Sequence, residues 1–340
     1  MIILRIDSKS DKDKPIYTDT QGKKITDEKV LEYIKTLVIP PKYTNVKIFV
    51  CIKQGKHCQP PKLTYTGIDD KGRTQYGYSQ AWKKKSKTRK FDDLILFGRA
   101  LPKIRIHIAK VLSDPNASKS PNMDFCISLI LDIVGRCHFR IGNMKYKELY
   151  KSYGISNIEL RHVKFKKNNL AISFIGKKGV KNDCEITDKK IISHIKNLME
   201  NKSPKDFVFS YKYEDCVTAI KAININDWIQ QFGNNITSKM FRTFATNIML
   251  IELLNKSLTD NKPDSLNARK KILNSALDQV SERVHNTRSV CKNEYTHPDI
   301  VDIFLNNPNR WQKIFGNDNH EASFIMYLKS ISKKRTNKDI

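Results

Sequence analysis

Acidic residues are scarce in this 340-residue chain: 35 Asp and Glu stand against 62 Lys and Arg, a formal net charge of +27. Self-repulsion of that size opposes a compact state unless a polyanion offsets it, so nucleic acid is the expected partner. Long apolar runs are missing as well. None approaches the roughly 18 residues that span a bilayer, and no lipidation signal is visible, which leaves a basic membrane-surface protein as the lesser reading. The N-terminus, Met-Ile-Ile-Leu-Arg-Ile-Asp7, carries an acid early and lacks signal-peptide organisation, so an intracellular protein is expected. No Cys-x-x-Cys pair occurs among the seven cysteines (51, 58, 126, 137, 184, 216 and 291). Their odd number and scatter predict reduced thiols rather than a disulfide frame. Cys51, His57 and Cys58 form the one cluster suggestive of a metal, but a zinc site needs a fourth ligand and a second pair, and no metal is expected. Internal repeats and long low-complexity segments are also absent.

What is present suggests about two domains, at roughly one per 150 residues. Short alternating stretches, Ile2 to Ile6, Val46 to Ile52 and Lys62 to Thr66, predict strands, with one helix from Asp27 to Val38 stopped by Pro40-Pro41. Residues 1–82 are therefore expected to form a small β-rich domain. The basic stretch Trp82-Lys-Lys-Lys-Ser-Lys-Thr-Arg-Lys90 reads as a solvated connector over 83–91, and beside DNA also as an electrostatic clamp. Over 92–340 helical periodicity dominates. Leu273, Leu277, Val280 and Val284 recur at three- and four-residue spacing, predicting an amphipathic helix ahead of Tyr295. Between His162 and Ile186 the alternation predicts a small three-stranded sheet with two tight turns. The fold class is α+β. Richness in Lys, Asn and Ile points to an AT-rich genome.

Tyr295 closes the tract Val284-His-Asn-Thr-Arg-Ser-Val-Cys-Lys-Asn-Glu-Tyr295 and reads as a nucleophile aimed at a DNA phosphate. Such chemistry also needs cations around the transition state and an acid for the leaving oxygen. Arg140 follows the apolar stretch Ile127 to Val134, Lys177 sits in a predicted hairpin turn, and Arg242 lies on an apolar helical pattern with a guanidinium fork suited to two phosphate oxygens. Taken singly, each favours a structural role: a cap, a solvated turn, a buried salt bridge. In the N-terminal part Lys71 and Arg73 are interleaved with Gln75, Tyr76 and Tyr78, a mixture able to hold phosphates and read base edges.

Their order shifts the weighting. Phe139-Arg-Ile-Gly-Asn-Met-Lys-Tyr146, Phe174-Ile-Gly-Lys177, Lys239-Met-Phe-Arg-Thr243 and Val290-Cys-Lys-Asn-Glu-Tyr295 together resemble the four motifs of the poxvirus-like type IB DNA topoisomerases. Thr66-Gly-Ile-Asp-Asp-Lys-Gly-Arg-Thr-Gln-Tyr76 and Ile39-Pro-Pro-Lys-Tyr43 resemble that family's N-terminal segments, the first of which lies in the major groove. The resemblance implies a C-shaped clamp on duplex DNA, with Tyr295 as nucleophile, Lys177 as general acid, and Arg140 and Arg242 as phosphate clamps. It extends the DNA contacts to Lys145, Tyr146 and Lys239. It also implies a monomer that stores bond energy in a 3′-phosphotyrosyl link and so needs no nucleotide cofactor or metal. The small size favours a viral or bacterial-type enzyme, acting in the virion and at a cytoplasmic replication site if viral. Two departures stand out: Cys291 occupies a position where serine is frequent, and Asn286 stands where many members carry a histidine, with His285 beside it. An asparagine amide donates such a hydrogen bond without charge. A tyrosine recombinase shares the Arg, Lys, Arg, Tyr set, but it has histidine where Lys239 stands and a helical rather than β-rich N-terminal half. A non-enzymatic DNA binder accounts for the charge but not for the ordered set.

Overall fold

A computed structural model describes residues 1–6, 15–53, 56–57, 60–214, 216–260 and 263–336. They divide into two compact units, Met1–Lys90 and Phe91–Ile340. The first holds strands β1 (Ile2–Ile6) and β2 (Ile16–Asp19), helix α1 (Glu28–Thr36), and strands β3 (Thr44–Phe49), β4 (Ile52–Lys53), β5 (Lys56–His57), β6 (Leu63–Ile68) and β7 (Thr74–Tyr78). Five of the strands make an antiparallel sheet in the order β2-β1-β3-β6-β7, which leaves β7 on an edge.

Successive strand residues point to opposite faces, so the register sorts the side chains. Ile3, Ile48, Tyr65 and Gly77 pair across one row, and Ile3 and Ile48 pack with Val30 and Ile34 of α1 in the small core. A Cβ on Gly77 would fall 2.1 Å from the Tyr65 ring, so only glycine lets that ring lie across the strand. The next row, Leu4, Lys47, Thr66 and Tyr76, is on the other face. Helix α1 starts on Asp27, whose carboxylate accepts the N–H groups of Lys29 and Val30. It ends two residues sooner than the sequence predicts, because Val38 takes a left-handed φ of 43°.

The lysine-rich connector is helical. Residues 83–91 lie inside helix α2 (Gln80–Val111). Lys and Arg are good helix formers, and the later turns bury Phe91, Leu94, Phe97, Leu101, Ile104 and Ile108 at helical spacing, so helix initiated by packing there propagates back through the basic turns.

The second unit continues with α3 (Met123–Cys137), α4 (Met144–Tyr150), β8 (Val163–Phe165), β9 (Leu170–Ile175), β10 (Lys181–Ile186), α5 (Lys189–Met199), β11 (Ser210–Tyr213), β12 (Cys216–Ala219), α6 (Ala222–Gln230), α7 (Ser238–Asp260), α8 (Leu266–Arg283), α9 (Arg288–Val290), α10 (Pro298–Asn306), α11 (Pro308–Phe315) and α12 (His320–Thr336). α3 is its axis, buried continuously from Phe125 through Leu131. The predicted small sheet is present as β10-β9-β8. The chain is thus α+β. The expectation of reduced thiols fails at one pair: Cys137 and Cys184 are joined in a disulfide, while Cys126, Cys216 and Cys291 are free. Forty-seven residues apart in sequence, the pair is brought to a Cα separation of 5.7 Å by the docking of β10 beside the end of α3, which no spacing rule exposes. Of the suspected metal cluster, Cys58 lies outside the described residues, among which no group of His, Cys, Asp and Glu converges as a metal site. No described helix is long and apolar enough to cross a membrane.

Candidate active site

The site is built on the C-terminus of α8. Beyond Val284 the chain turns through His285 at φ 49°, and two backbone bonds, Asn286 N to the Ser281 carbonyl and His285 N to the Glu282 carbonyl, close a Schellman motif with histidine in the place usually given to glycine. The carbonyls left over at a helix end carry partial negative charge. Here they receive two arginines. Arg242, from the first turn and a half of α7, donates Nη2 to the Val284 carbonyl. Arg140 donates Nη2 to Asn286 Oδ1 at 2.5 Å and reaches the His285 carbonyl with Nη1 at 3.5 Å.

Arg140 is delivered by a fixed loop. α3 ends with His138 at φ 54°, and the Arg140 carbonyl then accepts the Ile155 N–H at 2.9 Å. A Cβ on Gly154 would lie 2.5 Å from that same carbonyl oxygen, so glycine is required for the approach. Phe139 stacks on His285 at 5.2 Å, and the His285 ring donates Nε2–H to the Cys137 carbonyl at 3.2 Å. The His285 ring is therefore committed to Phe139 and the Cys137 carbonyl.

Tyr295 ends a π-helical turn, Cys291–Tyr295, in which Thr296 N bonds the Cys291 carbonyl five residues back at 3.0 Å. Asn247, fully buried on α7, braces this turn from both sides. Its amide donates to the Tyr295 carbonyl at 2.9 Å, and its Oδ1 accepts the His297 N–H at 2.7 Å. The phenol ring, 7% exposed, lies 5.5 Å from the Arg242 guanidinium carbon. Burial alone raises a phenol's pKa, but Arg242, Arg140, a hydrogen bond from Arg242 and the charge of Lys239 together pull Tyr295 below its usual value. Cys291 goes the other way. Burial pushes its thiol up to about 11, so it is an inert neighbour rather than a competing nucleophile.

Arg242 is the decisive group. It is 3% exposed, and burial followed by repulsion from Arg140 pulls its pKa to about 10, which leaves it charged at neutral pH. The sequence left a buried salt bridge open, yet no carboxylate pairs with it among the described residues, and its Nε and Nη1 are buried without an acceptor. A buried cation without a counter-charge costs several kcal/mol, roughly the deficit that an anion seated on those two N–H groups would remove. Asn286 Nδ2 is a third buried donor without a partner. Its direction is imposed by Arg140: guanidinium only donates, so the asparagine oxygen turns to Arg140 and the NH₂ is left for a ligand. Arg242, Arg140 and Asn286 thus meet at one helix end, with the Tyr295 ring 5.5 Å from the Arg242 guanidinium.

Lys177 is exposed on the turn between β9 and β10, a 3-10 turn with Lys178 at φ 64°. No bond joins Lys177 to the two arginines. The hairpin it tops is linked to the Arg140 loop through Phe139 against Phe174 at 4.9 Å and Tyr153 N to the Ile175 carbonyl at 2.9 Å. Lys145 and Tyr146 lie exposed on α4, and Lys239 is exposed one turn before Arg242. In the N-terminal unit the β6–β7 turn is organised by Asp69, whose carboxylate accepts from Lys71 N, Arg73 N, Arg73 Nε and Gln75 Nε2. The Arg73 side chain holds that carboxyl down at about 2. Gln75 is thus occupied within the turn, while Tyr76 and Tyr78 share the opposite, exposed face of β7. Asn247 escaped the sequence reading. The available signal was an asparagine inside an apolar helical pattern, a buried polar group that must be satisfied.

Comparison with known proteins identifies the family. The family described as Eukaryotic DNA topoisomerase I, catalytic core, matches residues 79–314, and Bacterial DNA topoisomerase IB, N-terminal domain, matches residues 16–61. The chain is 29% identical over 300 residues to DNA topoisomerase 1B of Acanthamoeba polyphaga mimivirus, covering 87% of this chain and 86% of the relative. It is 22% identical to DNA topoisomerase 1B of Vaccinia virus (strain Copenhagen), covering 86% and 88%. DNA topoisomerase I, mitochondrial, of Rattus norvegicus is 25% identical over 183 residues, 51% of this chain and 29% of that one. With a family match that runs across more than half of its length, from α2 to α11, the chain belongs to the type IB DNA topoisomerases.

Proposed function

We propose that this protein relaxes supercoiled duplex DNA by transient cleavage of one strand. The Tyr295 oxygen attacks a backbone phosphorus as its proton passes to solvent, helped by the cations that lower its pKa. The bond from phosphorus to the 5′ oxygen breaks, Lys177 gives that oxygen a proton, and a 3′-phosphotyrosyl link remains. The free 5′-hydroxyl strand rotates, then attacks the link to restore the backbone. The exchange of one phosphodiester for another conserves bond energy, so no ATP is spent. Arg242 through Nε and Nη1, Arg140, and the Asn286 amide hold the non-bridging oxygens and stabilise charge at the transition state. The three buried donors left without acceptors support this reading, because Arg242 Nε and Nη1 and Asn286 Nδ2 can each donate to a phosphate oxygen and Arg242 lies 5.5 Å from the Tyr295 ring.

Noncovalent grip on the duplex is assigned to Lys71, Tyr76 and Tyr78 of the N-terminal unit and to Lys145, Tyr146 and Lys239 of the second. Arg73 and Gln75 shape the turn from which Lys71 projects. The protein acts as a monomer within the cell, and the likeness to viral enzymes supports a viral setting. The test is relaxation of a supercoiled plasmid in EDTA without ATP: wild type relaxes it, and Tyr295→Phe does not. A recombinase or a plain DNA binder leaves the supercoils in place.

A further inference from the structure

The Cys137–Cys184 disulfide lies between the parts of the site that no direct bond connects. Cys137 is the last residue of α3, three before Arg140, and its carbonyl receives the His285 ring. Cys184 pairs with Ile172 in the β9–β10 hairpin whose turn carries Lys177. One covalent bond thus fixes the base of the leaving-group hairpin against the root of the arginine loop. The other links across this boundary are the Phe139–Phe174 contact and the Tyr153 to Ile175 hydrogen bond. The bond is also reachable. Both cysteines line a cavity of about 870 Å³, through which a small thiol can approach the bond.

We infer that the Cys137–Cys184 disulfide is a reversible positioning element that sets Lys177 at the leaving oxygen, so that its reduction slows cleavage without releasing DNA. The inference rests on the transesterification reading above. In the reducing step a thiolate of an external dithiol attacks Cys184 Sγ, the less buried sulfur, and Cys137 leaves as thiolate. The second thiol of the reductant then displaces Cys184, leaving the dithiol oxidised by two electrons and both cysteines reduced and protonated.

The experiment compares wild-type protein, air-oxidised or reduced with dithiothreitol, and Cys184→Ser, in single-turnover cleavage of two DNAs. One is ordinary; the other has sulfur at the 5′ bridging position of the scissile phosphate, a thiolate that leaves without a proton. General acids contribute about 10²–10⁴-fold, and a displaced but retained lysine loses part of that, so reduction or Cys184→Ser is expected to slow ordinary cleavage by about tenfold or more and sulfur-bridged cleavage by less than about twofold. DNA affinity and far-UV circular dichroism should match between the forms, and labelling should find Cys137 and Cys184 unreactive in oxidised protein and reactive after reduction. Equal rates in oxidised and reduced protein overturn the inference, as does equal slowing on both DNAs, which marks a merely structural bond, or labelling of Cys137 and Cys184 before reduction. Failure of oxidised wild type to form an adduct with either DNA refutes the underlying chemistry itself, and is recognised by that.

Discussion

Asn286 offers the sharpest test of the site, because its amide has one end fixed and the other free. Arg140 holds Oδ1 at 2.5 Å, and Nδ2 is buried with no acceptor. Replacing it by alanine removes one donor to the phosphate and one acceptor for Arg140. A hydrogen bond to a charged group contributes about 1.5–3 kcal/mol, and at about 1.36 kcal/mol per decade this amounts to about 10- to 150-fold in rate. Aspartate is the more informative change. It keeps the Arg140 contact and the volume, but presents a negative oxygen where the amide donates, so Asn286→Asp should be slower than Asn286→Ala. The assay is single-turnover formation of the covalent adduct on a DNA whose short leaving strand dissociates, with affinity measured separately by fluorescence anisotropy. Affinity should change by less than about threefold, since a duplex is gripped through many phosphates and only one is lost. Asn286→Ala within twofold of wild type, or Asn286→Asp faster than Asn286→Ala, would refute the argument that the amide faces the scissile phosphate.

Four further outcomes are expected. Arg242 and Arg140 pull the Tyr295 phenol down, which favours its anion as pH rises; the rising limb of cleavage rate against pH should therefore lie below the usual phenol value of about 10 and move upward in Arg242→Gln. A limb that does not move would remove Arg242 from phenol activation. Asn247→Ala leaves the Tyr295 carbonyl and the His297 N–H unpaired in the interior, a loss of about 2–6 kcal/mol in urea unfolding at about 1–3 kcal/mol for each buried group, with slower adduct formation because the π-turn loosens; unchanged stability would contradict the bracing role. Tyr76→Ala, on the exposed face of β7, should weaken DNA binding by about 1 kcal/mol, or about fivefold, as one hydrogen bond to DNA is lost. Gln75→Ala should instead lower the melting temperature, through Asp69, and a Gln75→Ala effect confined to DNA affinity would reverse the assignment.

Much of this protein was legible before any coordinate. The charge of +27 pointed to a polyanion, and the periodicities of 2 and 3.6 separated a β-rich beginning from a helical remainder. Both signals are local, arising because a side chain's face is set by its neighbours along the chain. Tyr295, Arg140 and Arg242 emerged because each sits in a short, distinctive motif. Their convergence beside Asn286 came from tertiary folding. That the basic stretch 83–91 is helical was not legible for the opposite reason: its helix is enforced by apolar packing beyond Phe91, which composition within the stretch cannot reveal.

By itself, then, the sequence determined the partner, the fold class and the residue types able to do the chemistry, since these depend on composition and local pattern. Tertiary structure alone decided that Arg242 is buried without a carboxylate partner among the described residues, that Arg140 takes the Asn286 oxygen and leaves its NH₂ unpaired, that Asn247 holds the tyrosine's turn, and that Cys137 meets Cys184. Each of these is a relation between residues tens of positions apart, fixed by how helices and strands dock, and burial, not identity, is what makes an arginine demand a phosphate.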